Sequence, residues 1–160
     1  MITLFIINSL IKRSCHILAL VGGSILMLGA TIVLVSVIGR VTLNNPIAGD
    51  FEIMEILTAM AVFSFLPLLM LRQGNVAVKI VTDKLPLAYK IILDKLALGI
   101  LAGLLAILTG YGAVGAYEAM LYQEQSQILG LPIWVAMAYG SLCLGLSFLA
   151  SIANLTTQQE

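Results

Sequence analysis

Four long apolar runs, separated by short polar intervals, organise the chain. The first, Ile17 to Gly39, holds no charged residue and as a helix rising about 1.5 Å per residue would extend roughly 35 Å, enough to cross a hydrocarbon core of about 30 Å. The second, Ile53 to Leu71, carries Glu55 near one end and Pro67 near the other. The third, Leu96 to Tyr117, belongs to a longer helix that starts after Pro86, with Lys90 and Asp94 as an i,i+4 pair before the lipid. The fourth follows the break LGLP and runs from Ile133 to about Leu155. The pattern predicts one all-α, polytopic membrane domain covering residues 1–160. Its four helices are expected over about 16–39, 52–71, 87–122 (membrane part 96–117) and 132–155.

Composition agrees. Of 160 residues, 61% are hydrophobic and 10% charged, with a mean hydropathy of +1.09; soluble domains carry roughly 45–50% apolar and about 25% charged residues. Four spans leave no length for a soluble catalytic domain. The formal net charge is zero, so no nucleic-acid partner is indicated and the placement of charge is what informs. Lys12, Arg13, Arg72, Lys79, Lys84, Lys90 and Lys95 fall on one side of the four spans and Arg40 alone on the other. The positive-inside rule then sets both termini in the cytoplasm and the 40–52 and 118–132 loops outside. The N-terminal run, long and without a small-residue cleavage site, is expected to stay as a signal anchor. Cys15 and Cys143 lie at different depths in this topology, which disfavours a disulfide.

Candidate chemistry is sparse. There is no GxxxxGK[ST] or HExxH, and His16 is the only histidine. Nucleotide hydrolysis, zinc hydrolysis and bis-histidine haem ligation within one chain are excluded. No enzyme and no cofactor are expected. Transport of charged solutes uses ionisable groups or broken helices at mid-membrane, and the central portions of these runs have neither. The chain reads as a partner for another membrane protein.

Two stripes of small residues are candidates for helix packing: Gly99, Gly103, Ala106, Gly110 and Ala113 on span three, and Ala136, Gly140, Cys143, Ser147 and Ala150 on span four. Small side chains let backbones approach closely in lipid. The two stripes are expected to meet, or one of them to receive a partner helix; Gly22, Gly29 and Ser36 form a sparser line on span one.

At the start of span two, Pro46 and Gly49 predict a turn, Asp50 a helix cap, and Glu52 and Glu55 acidic residues in the first turn, where the helix dipole favours negative charge. Arg40 is expected to pair with Glu52 or Glu55, or with a second subunit. The stretch Glu118 to Gln127 is expected to continue helix three beyond the lipid and to present Glu118 and Glu124 to a soluble protein. Trp134 and Tyr139, or Tyr117 and Tyr122, are expected as interfacial aromatic anchors. The interval VAVKIVTDKLPLAYK is either an amphipathic segment lying on anionic lipid or a plain basic loop.

The run GRVTLNNPIAGDFEIMEILTAMAVF…LLMLRQGNVAVKIVTDKLP, followed by GLPIWVAMAYGSLCLG, resembles the small membrane subunit of tripartite ATP-independent periplasmic (TRAP) transporters, the DctQ-like family. The resemblance rests on Arg40, Asn45 with Pro46, Gly49, Glu52 and Glu55, Arg72, Gly74 and Val78, and Pro132 with Trp134. Asn75 stands where the family often has His and Lys79 where it often has Asp. It implies an accessory subunit in the bacterial inner membrane, docked on a large multi-span subunit that couples import of organic carboxylates to sodium, with a periplasmic substrate-binding protein as third component. The coupling sodium would belong to the large subunit. The resemblance makes Arg40, Pro46, Gly49, Glu52, Glu55, Glu118, Glu124, Pro132 and Trp134 candidates for contact with the other subunits. Arg72, Asn75, Lys79 and Lys84 are candidates for a cytoplasmic contact. Rival readings are the small subunit of a tripartite tricarboxylate transporter, a redox-complex membrane anchor and a homo-oligomeric channel.

Overall fold

A computed structural model describes residues 2–44, 47–72 and 87–157. Pro46 and the cytoplasmic candidates Asn75, Lys79 and Lys84 lie outside them, as do Asn45, Gly74 and Val78. The described residues form four helices, α1 (Ile2–Leu43), α2 (Asp50–Leu71), α3 (Leu87–Leu121) and α4 (Ile133–Thr157). Each contains a stretch long and apolar enough to cross a membrane. Helix α1 begins well before the expected residue 16, because the apolar start of the chain contains neither glycine nor proline to stop it.

The helices pack in a row, α1–α2–α4–α3. Helix α1 also touches α4, whereas among the described residues α3 touches no helix but α4. Both hairpins are antiparallel and α2 runs parallel to α4, so the two hairpin connections share one end of the row, called here the hairpin end.

Many of the largest side chains face outward, and the most deeply buried ones are mostly small. Leu20, Met27, Ile100, Ile107 and Leu142 are all more than half exposed, while Cys15, Ser36, Ala61, Ser64, Cys143, Ser147 and Ala150 are closed off almost completely. Lipid solvates Leu as well as a protein interior does, so association relies on close backbone approach and dispersion instead. Along α1 from Leu10 onward the buried positions are Cys15, Gly22, Gly29 and Ser36, a strict seven-residue repeat that keeps one seam against α2. A Cβ on Gly22 would lie 2.6 Å from the Ser64 Cβ and 3.1 Å from the Ala61 carbonyl oxygen; one on Gly29 would lie 3.0 Å from the Met54 sulfur. The sparsest of the three expected lines is thus a packing seam.

Within this chain the stripe expected on α3 is not a packing seam. Gly99, Gly103 and Gly110 have nothing within 4 Å of a Cβ position, and α3 meets α4 through Leu98, Ala102, Leu105, Ala116 and Ala119, with Thr109 and Gly112 half-buried between them. The two sets share the same 4-3 spacing and differ by one residue, a rotation of about 100°. Size decides between them. Continued toward the hairpin end, the expected stripe runs into Tyr117 and Met120, which would wedge the helices apart; the observed seam runs into Ala116 and Ala119. The α4 stripe is buried from Gly140 to Ala150, yet Gly140 abuts the ring of Phe63 on α2. What α4 offers α3 is a neighbouring line, Met137, Ser141 and Gly145, against Gly115, Gly112 and Thr109. The two stripes therefore do not meet.

A few hydroxyl bonds fix the register. The Ser64 hydroxyl donates to the Met60 carbonyl at 2.7 Å and lies 2.7 Å from the Tyr139 hydroxyl. A serine has one proton to give, so Tyr139 is the donor in that pair. Tyr139 is therefore turned into the α2–α4 seam and is not an interfacial anchor, whereas Tyr117 and Tyr122 are exposed near the hairpin end. Ser141 donates to the Thr109 carbonyl at 3.0 Å and ties α4 to α3.

Candidate functional site

The acidic start of α2 sits between the two hairpins, and its carboxylates point in different directions. Asp50 and Glu52 are two residues apart, about 200° around a helix, so one faces α1 and the other the α3–α4 connection. Asp50 is 7% exposed. Its Oδ2 accepts a hydrogen bond from the Ser36 hydroxyl at 2.6 Å and a long contact from Arg40 Nη2 at 3.5 Å, and its Oδ1 accepts from the Phe51 N–H at 2.9 Å. The Ile47 N–H donates to the same Ser36 oxygen at 3.2 Å. The cap position itself is held by Gly49, left-handed at φ 76° with no side-chain cap bond. Asp50 therefore ties α2 to the end of α1 and also takes up the Phe51 N–H of its own first turn, although it sits one residue inside the cap position.

Arg40 pairs with Asp50, not with Glu52 or Glu55 as expected. The carboxylate of Glu52 closes on the other hairpin: it accepts from the Ser126 hydroxyl at 2.8 Å, the Ile128 N–H at 2.7 Å and the Leu129 N–H at 3.0 Å. An ionised carboxylate offers only acceptors, and three converging donors make this a charge-assisted clasp. Glu55 is exposed and shares no ion pair or side-chain hydrogen bond among the described residues.

The clasped loop is ordered by its own bonds. Helix α3 ends at Leu121, earlier than the expected run to Gln127, because Gln123 turns left-handed at φ 52° and the Glu124 N–H folds back to the Ala119 carbonyl at 2.9 Å. Ser126 and Leu131 then bracket a tight loop. The Ser126 N–H donates to the Leu131 carbonyl at 2.9 Å, the Leu131 N–H to the Ser126 hydroxyl at 3.1 Å, and Gly130 takes φ 65°. A single bridge joins Gln125 and Pro132. Leu129 presses onto Gly49 so closely that a Cβ there would sit 2.5 Å from the Leu129 Cγ. Gly49 is thus required twice, by its backbone angle and by its neighbour.

Of the outer candidates, Arg40 meets Asp50 on the α1 side, Gly49 and Glu52 both meet the loop at Leu129, and Glu124, Pro132 and Trp134 line one shallow cleft. Glu118 is exposed one turn back along α3, and Arg72 is exposed where α2 ends, at the opposite end of the row. Sequence reasoning missed Ser36, Ser126 and Leu129. Ser36 was signalled by its place on the Gly22–Gly29 line; Ser126 and Leu129 carried no signal, since their role depends on which carboxylate reaches them. Among the described residues no group of His, Cys, Asp and Glu could hold a metal ion, and both cysteines are buried free thiols. The site joins two hairpins.

A family profile described as "Tripartite ATP-independent periplasmic transporters, DctQ component" matches residues 29–160. The chain belongs to the DctQ family. It is therefore a small membrane subunit of a TRAP transporter and not an enzyme. No curated protein and no solved structure matches it. The match begins inside α1, so it covers the whole clasp and all three helix seams of this DctQ chain apart from the early part of the α1 line.

Proposed function

We propose that this DctQ chain is a static accessory subunit that widens the membrane scaffold of a sodium-coupled importer of organic carboxylates. It docks on the large transport subunit and turns its hairpin end toward a periplasmic substrate-binding protein. Both termini lie in the cytoplasm of a cell whose inner membrane the four helices cross, and the coupling sodium and the substrate are handled by the large subunit. One observation carries this reading: the helix interiors are empty of charge. No charged residue stands between Arg13 and Arg40, between Glu55 and Arg72, between Lys95 and Glu118, or anywhere in α4. A subunit that moved ions or carboxylates would carry ionisable groups there. The one-layer row supports the scaffold role, since it leaves broad apolar faces for lipid and for another membrane protein. With the family shown, the tricarboxylate-transporter and redox-anchor readings lapse.

The test is a mild-detergent pull-down of the tagged chain from its native membrane, followed by mass spectrometry. A stoichiometric polytopic partner supports the reading. Recovery of the chain alone or as a homo-oligomer counts against it.

A further inference from the structure

Beside the Glu52 clasp, the turn after α3 and the first turn of α4 enclose a cleft of ≈ 350 Å³ lined by Met120, Gln123, Glu124, Gln125, Pro132 and Trp134. The clasp does not use it. Glu124 takes part in the loop only through its backbone, its N–H to the Ala119 carbonyl and its carbonyl to the Ile133 N–H. Its carboxylate has no partner among the described residues, and Trp134 is 36% exposed. We propose that this cleft receives an arginine side chain from the soluble protein that docks on the hairpin end.

Chemistry selects the guest. A carboxylate and an aromatic face in one cleft suit a cation, the first by a charge-assisted hydrogen bond and the second by its ring quadrupole. A guanidinium fits better than an ammonium, because it is planar, stacks on an indole and directs its remaining N–H groups sideways, where the amide oxygens of Gln123 and Gln125 can accept them. The surroundings point the same way. The hairpin end carries Asp50, Glu52, Glu55, Glu118 and Glu124 against the single cation Arg40, and Arg40 already leans on Asp50. A partner with a basic face is drawn to such a surface and one with an acidic face is repelled. The walls are also set in advance by the Gln125–Pro132 bridge, the left-handed Gly130 and the three bonds to Glu52, so little ordering entropy is lost on docking.

This inference deepens the function proposed above and rests on it. The experiment embeds the complex of this chain with its large subunit in nanodiscs of neutral lipid and measures binding of the purified periplasmic binding protein by interferometry. E124K and W134A are expected to weaken binding about tenfold each, W134F to weaken it less than W134A, T31A on the far helix α1, whose hydroxyl bonds its own backbone, to leave it unchanged, and E124Q to flatten the salt dependence. Replacing one surface arginine of the binding protein by glutamate is expected to restore binding to E124K. Wild-type binding that E124K and W134A leave unchanged overturns the cleft proposal alone. Failure of the binding protein to engage the wild-type complex overturns both it and the accessory role. Loss on W134A without loss on E124K shows an apolar or lipid contact and also overturns it.

Discussion

At the scale of single residues, Glu52 and Glu55 look equivalent in the sequence and are not. Glu52 holds three donors of the distant loop; Glu55 holds none. E52A is expected to speed amide exchange at Ile128 and Leu129 several-fold, because a loop opens locally once its anchoring bonds are lost, whereas E55A leaves them unchanged. Exchange mass spectrometry of the protein in detergent reads both, and equal rates in wild type and E52A would remove the clasp. Gly49 supplies a second case. G49A adds a strained left-handed backbone, at about 1–2 kcal/mol, to a collision with Leu129, and is expected to lower the thermal unfolding temperature by several degrees. The double variant G49A/L129A relieves the collision only and should recover part of the loss. A carboxylate so near the lipid is costly alone, which predicts a partner for Glu52 and for the deeper Glu55 alike; among the described residues Glu52 has one and Glu55 does not. The partners of Glu52 lie 74 to 77 residues away, and no local spacing encodes them.

At the scale of helices, the contrast between α1 and α3 makes a direct test. G22L places a large side chain where even a Cβ meets Ser64 at 2.6 Å, and overpacking of this kind costs about 1–3 kcal/mol or more. G103L adds the same bulk to an open face. In the isolated chain, G22L is expected to destabilise strongly and G103L to be silent, as measured by thermal unfolding in detergent. Equal effects would contradict the seams described here. Y139F removes one hydrogen bond between α2 and α4, for which membrane interiors give about 0.6 kcal/mol on average, and should shift stability only slightly. The existence of all four helices was plain from hydropathy, because apolar runs of this length have few alternatives. Which face of α3 packs was not plain. Two adjacent faces share a 4-3 spacing, and Tyr117 and Met120, at the far end of one of them, settle the choice.

At the scale of the whole molecule, the row α1–α2–α4–α3 makes α4 the central helix although it comes last in the chain, and it makes the hairpin end a single joined surface. In a C15A/C143A background, a cysteine at Gln127, which is exposed, is expected to react with a membrane-impermeant maleimide added to intact cells. Protection until the cells are lysed would reverse the orientation proposed here. The sequence by itself determined the class of the molecule, the four helices long and apolar enough to cross a membrane, and its family. These follow from composition, run length and ordered motifs, each read along the chain without knowing what lies beside it. Tertiary structure alone decided that α4 lies between α2 and α3, that Asp50 takes Arg40 and Ser36, and that Glu52 reaches across to the other hairpin. Those outcomes depend on the rotation of each helix about its axis, and where lipid solvates every large apolar side chain equally well, hydropathy does not specify that rotation; the fit of small residues does.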